Sequence, residues 1–163
     1  MKKEKLLYIL MPILCAVAAV LAYIKVINKT PEQTDALKFK EEYESLTGER
    51  YVELNIPEDN PMVYADYDKL LEVIDNGTGI IYLGFPGCPW CRRALPVLLD
   101  AAKENGVETI YYMNILNERD SYVVEDGKLV YATDDDGNEK KGTKGYFKLL
   151  KALISIMHEY GIH

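Results

Sequence analysis

"GIIYLGFPGCPWCRRALPVLLDAAKENG", residues 79–106, places two cysteines, Cys88 and Cys91, three residues apart directly after an apolar run. The run Gly79–Phe85 has the length of a strand and no charge, which fits a central strand buried on both faces. "PWCRRALPVLLDAAKENG" then reads as a helix ending at Gly106, and "VETIYYMNI", residues 107–115, as another buried strand. Strand, helix and strand within about forty residues have the size and order of a βαβ unit, so the fold class is α/β. The two cysteines fall at its first strand-to-helix turn.

Working outward, "YVELNI" (51–56) alternates and is β-rich, "EDNP" is a turn and "MVYA" (62–65) is a short strand. Asp66 caps a helix over "YDKLLEVIDNG", with Leu70, Leu71 and Ile74 on one face. "YVVEDGKLVYAT" (122–133) has a turn signal at Asp126-Gly127, which predicts a hairpin. "DDDGNE" resembles a calcium loop. With Gly137 in its sixth position, however, the first and last ligands fall on Ala132 and Thr143, so it reads as a solvated turn. The final helix carries Phe147, Leu150, Leu153, Ile154 and Met157 at helical spacing.

The N-terminus is different in kind. After "MKKEK", residues 6–24 contain no charge, and at roughly 1.5 Å per residue they span most of a hydrocarbon core of about 30 Å. Residues 1–28 are therefore a membrane anchor or a signal segment. A retained anchor is favoured over cleavage after "VLA", because the apolar run exceeds the roughly 7–15 residues of a signal core. Cys15 is read as a small apolar residue of that segment; lipoprotein processing there would need a small residue where Leu14 stands. Lysines 2, 3 and 5 before the run point the N-terminus to the cytoplasm, and the rest of the chain to the extracytoplasmic side, where disulfides persist. Residues 29–48, opening on Thr30-Pro31, read as a helical stalk with a patchy apolar stripe of Leu37, Phe39, Tyr43 and Leu46. Residues 49–163 are left as one domain.

The 163 residues carry a formal charge of −7, without the clustered Lys and Arg that counterion release requires, so nucleic acid is not an expected partner. Three chemical uses of the cysteine pair compete. Structural zinc wants four N or S ligands, and only His158 and His163 remain to supply them. A structural disulfide closing so short a loop adds little by loop entropy. A redox pair needs a thiolate, which the unpaired N–H groups and positive end of a helix favour. Cys88, followed by Pro89 at the first helical position, is placed to attack, and Cys91, almost one turn deeper, to resolve. Arg92 and Arg93 add positive charge nearby, although at least one is equally well read as an exposed helix residue. No metal or cofactor is called for.

These residues resemble the thioredoxin superfamily. The likeness rests on the apolar strand, on Cys88-Pro89-Trp90-Cys91, and on Pro96 five residues after the second cysteine, where thioredoxins carry a helix-kinking proline. "GTGIIYLGFPGCPWCRRALPVLLDAAKENG", residues 77–106, is similar to the membrane-anchored bacterial thioredoxin-like proteins labelled bacteriocin transport accessory proteins, and the resemblance spans roughly Tyr51 to Ile115. The resemblance implies a membrane-tethered thiol–disulfide oxidoreductase acting on protein thiols and disulfides. The other reading is a non-catalytic accessory protein holding a peptide or a membrane transporter. The sequence departs from the family twice. Tyr82 stands where thioredoxins have a buried acid six residues before the first cysteine. No proline follows Pro96, so the cis-proline strand and the last strand and helix are expected to be missing, leaving an incomplete, C-terminally truncated thioredoxin-like fold. An edge of the "GIIYLGF" strand would then lie open unless the hairpin covers it.

Overall fold

The computed structural model describes residues 33–161; the apolar run 6–24 and its anchor reading lie outside them. Among the described residues no helix is long and apolar enough to cross a membrane. In chain order the elements are α1 (Asp35–Glu44), β1 (Met62–Tyr64), α2 (Tyr67–Asp75), β2 (Ile81–Gly84), α3 (Pro89–Glu104), β3 (Ile110–Asn114), β4 (Tyr122–Glu125), β5 (Lys128–Tyr131) and α4 (Lys144–Glu159). The result is an α/β fold around a small parallel sheet.

Strands β1, β3 and β2 form that sheet in this spatial order, all parallel, so β3 is central and β2 lies at an edge. This corrects the central placement expected for "GIIYLGF". Its uninterrupted apolar character reflects cover on both faces, which an edge strand between two helical layers also has. Alternation along the strands divides the core in two. Tyr82, Ile110 and Tyr112 face one side, packed with Phe39 and Tyr43 of α1 and with Leu95 and Leu99 of α3. Ile81, Leu83, Tyr111 and Met113 face the other, against Leu70 of α2 and Tyr146 and Leu149 of α4. The hairpin β4–β5 forms as expected and turns at Asp126-Gly127, with φ of 49° and 73°. It pairs only within itself rather than extending the sheet at β2.

Two other expectations are corrected. The segment 29–48 contributes no free stalk over its described helix: Phe39 and Tyr43 are fully buried in the first core, and α1 belongs to the same compact unit as the sheet. The stripe looked patchy because only these two aromatics carry the contact. Residues 51–56 are not a strand. Leu54 and Ile56 do turn inward, as alternation predicts, but the backbone is held by side chains: the Ile56 N–H donates to Glu44 Oε1 at 2.6 Å, and the Val52 carbonyl accepts from Arg92. Asp134, in the acidic turn, accepts from the N–H groups of Asp136 and Asn138, closing a solvated turn.

Candidate functional site: the Cys88–Cys91 turn

The chain leaves β2 at Gly84, turns through Phe85-Pro86-Gly87 and enters α3 with Cys88 as the N-cap and Pro89 as the first helical residue. Capping is done by sulfur. Cys88 Sγ accepts the Cys91 N–H at 3.3 Å, in the role an Asp or Ser oxygen usually fills. Both cysteines are half-buried free thiols.

Their environments push them apart. Burial would raise the Cys88 pKa, but hydrogen bonds from the Cys91 thiol and from the N–H groups of Cys91 and Trp90, with the charge of Arg119, outweigh it and hold it below the ordinary value. Burial, the hydrogen bond to Cys88 and the Cys88 charge together raise the Cys91 thiol, opposed by the Phe85 backbone and the Tyr82 hydroxyl. One sulfur is poised as a nucleophile, while its neighbour keeps its proton.

Arg92 is not the thiolate's counter-charge. It is buried, 1% exposed, and its guanidinium donates five hydrogen bonds to four backbone carbonyls: Val52 (Nε 2.9 Å, Nη2 2.6 Å), Tyr43 (Nη1 2.7 Å), Pro86 (Nη1 3.2 Å) and Leu46 (Nη2 3.2 Å). It ties α3 to the end of α1, to the 46–52 loop and to the turn that carries Cys88. The positive charge acting on Cys88 comes instead from Arg119, in the turn after β3, whose guanidinium lies 5.1 Å from the Phe85 ring centroid and pairs with Asp120 at 3.0 Å. Nothing local in the sequence marks Arg119, which lies 31 residues beyond Cys88. Because it is exposed and screened, Arg119→Ala is expected to slow Cys88 alkylation at neutral pH only about two- to threefold, with the difference shrinking as salt rises.

Trp90 stands 76% exposed beside the cysteines, with Arg93 over its ring at 5.8 Å. Pro96 lies inside α3, where its missing N–H leaves the Arg92 carbonyl without its intrahelical donor. Among the described residues no group of three His, Cys, Asp or Glu side chains is placed to hold a metal ion. His158 lies on α4 beside the hairpin turn, and His163 is outside the described residues. Compared with protein-family models, with curated proteins and with solved structures, the chain matches none.

Proposed function

We propose that this chain is a thioredoxin-like thiol–disulfide oxidoreductase acting on proteins, tethered through residues 6–24 with its folded unit on the extracytoplasmic side. The observation that carries the reading is the asymmetry of the pair: Cys88 caps α3 and is held toward thiolate, whereas Cys91 behind it is held toward thiol. A parallel βαβ unit with the pair at its strand-to-helix turn is the arrangement the resemblance implies.

The chemistry follows in two exchanges. The Cys88 thiolate attacks one sulfur of a substrate disulfide, forming a mixed disulfide and expelling a substrate thiolate. Cys91, once deprotonated, attacks Cys88 Sγ, forming the Cys88–Cys91 disulfide and releasing the second substrate thiolate. Two electrons have then passed from the pair to the substrate; the reverse sequence oxidises a dithiol. Net direction follows the relative stability of the two redox states. Trp90 offers a polypeptide an aromatic surface next to the attacking sulfur.

The test is the pH dependence of iodoacetamide alkylation of the full chain, with the modified residue mapped by mass, together with insulin reduction driven by dithiothreitol. Cys88 is expected to alkylate first, with a midpoint below the roughly 8.5 of a free cysteine. A midpoint at the free value, with no reduction beyond that of dithiothreitol alone, overturns the enzyme in favour of the non-catalytic platform.

A further inference from the structure

The hairpin leaves one strand edge without a partner. β5 has β4 as its only neighbour in a two-stranded sheet. In that ladder Glu125 pairs with Lys128 across the turn and Val123 with Val130, and just beyond it the Ala132 N–H donates to the Ser121 carbonyl at 3.0 Å. Antiparallel alternation therefore turns the N–H and C=O of Leu129 and Tyr131 away from β4. Among the described residues no hydrogen bond reaches these groups from another element. The edge borders a groove whose other wall is α4. One part of the groove, about 450 Å³, takes Leu129, Val130 and Tyr131 from β5 but only Tyr122 from β4, with Phe147 on the α4 side. An adjoining part, about 520 Å³, shares Leu129, Phe147 and Lys151 and reaches Ile154. The apolar lining is set by packing. The Tyr122 ring lies 5.0 Å from that of Tyr131 and 5.4 Å from that of Phe147, and Leu129 and Phe147 pack against the second core. Tyr131 is nonetheless 43% exposed.

Charge adds a third feature. Lys144, Lys148 and Lys151 follow at i, i+4 and i+7 on one face of α4, and Lys128 stands at the start of β5. All four are exposed and line the groove, and among the described residues none forms an ion pair. No Asp or Glu lines either part. In a chain of net charge −7 the groove is a local reversal of sign, completed only when the hairpin brings Lys128 to α4. Each feature selects something different in a ligand. Outward N–H and C=O groups at every second residue take up another backbone in extended conformation. Alternation then puts every second ligand side chain on the apolar side of the groove. The lysines, with apolar stems on the walls and ammoniums in water, select carboxylates. A lipid surface would use the lysines but leave the backbone edge unpaired.

We propose that the groove between β5 and α4 binds an extended protein segment of alternating acidic and apolar residues, which adds to the outer edge of β5 as a third strand. Its backbone pairs with Leu129 and Tyr131, its apolar side chains enter beside Phe147, and its carboxylates meet Lys128, Lys144, Lys148 and Lys151. The groove shares no residue with the cysteine turn, and the proposal does not depend on the oxidoreductase reading.

The test uses the full chain in nonionic detergent and a fluorescent synthetic peptide of alternating glutamate and valine, followed by fluorescence anisotropy. Saturable binding is expected, weakened about tenfold or more when Lys148→Glu and Lys151→Glu are combined, and severalfold as salt rises. Both lysines are exposed and unpaired, so the melting curve of this variant should match that of the wild type. Methylating the peptide's backbone nitrogens separates pairing from charge. Methylation at the glutamates or at the valines, whichever set faces β5, should weaken binding about tenfold, and methylation of the other set should change it little. Oligoglutamate of equal charge binding as tightly, or equal effects from the two methylated sets, overturns strand addition. Absence of saturable binding, or binding undiminished in the lysine variant, overturns the site. Phosphatidylglycerol added to the micelles should not displace the peptide; displacement makes an anionic lipid surface the occupant and overturns the assignment.

Discussion

Cys88→Ser is expected to reduce disulfide exchange to the rate of the added reductant alone, a loss of three orders of magnitude or more, because the hydroxyl does not ionise at the helix mouth and is a poor nucleophile toward sulfur. Cys91→Ser is expected to behave differently. Cys88 keeps its N-cap geometry and the backbone N–H groups of residues 90 and 91, and the serine hydroxyl is a donor in place of the thiol. Its alkylation midpoint should therefore stay below the free value, and the mixed disulfide with substrate should accumulate for lack of a resolving thiol. The sign for stability follows from the same lowering. Ionised Cys88 stabilises the folded, reduced chain at pH above the unfolded cysteine value, and this contribution fades as pH falls through the lower folded value. Mass spectrometry of the trapped adduct and turnover with insulin check both variants. Equal loss of turnover without any trapped adduct in Cys91→Ser would contradict the assigned order of attack.

The cysteine turn was legible because its signals are local. An apolar strand, a proline at the first helical position and a two-cysteine spacing lie within a dozen residues, and the structure puts the N-cap where they point. What surrounds the turn was less legible, because its partners are distant in sequence. Tyr51–Ile56 alternates as a strand does, yet its inward side chains serve an extended segment held by Glu44 and Arg92. Apolar content shows that β2 is covered on both faces but not which strand lies beside it, so its edge position was hidden. The packing of Tyr43, Tyr64, Tyr82 and Tyr112 against one another was visible only as a bias, thirteen Tyr in the chain, since it depends on strand register and on α1 docking over the sheet. Arg92 and Arg93, adjacent in sequence, have opposite fates: one lies in the core and the other beside exposed Trp90.

That contrast sets up the largest expected loss of stability. Arg92→Met keeps much of the side-chain volume but removes five hydrogen bonds, leaving the carbonyls of Tyr43, Leu46, Val52 and Pro86 without these donors. A buried polar group left unsatisfied costs about 1–3 kcal/mol. Four of them would approach the roughly 5–15 kcal/mol that holds a whole domain folded. The cost is moderated because Arg92 borders a cleft of about 370 Å³, lined also by Leu46, Gly48 and Tyr51, through which water reaches part of the site. Burying a guanidinium without a carboxylate is itself unfavourable, which offsets part of what its hydrogen bonds contribute. The balance is a loss of roughly 3–5 kcal/mol, read as a lower midpoint in urea. Arg92→Lys should recover little, since a single ammonium cannot span carbonyls arranged around a planar fork. Arg119→Ala supplies the counterpart, moving the Cys88 titration while leaving the urea midpoint within about 0.5 kcal/mol of wild type. If Arg92→Met instead melted like wild type and shifted the Cys88 titration, the division of labour between the two arginines would be reversed.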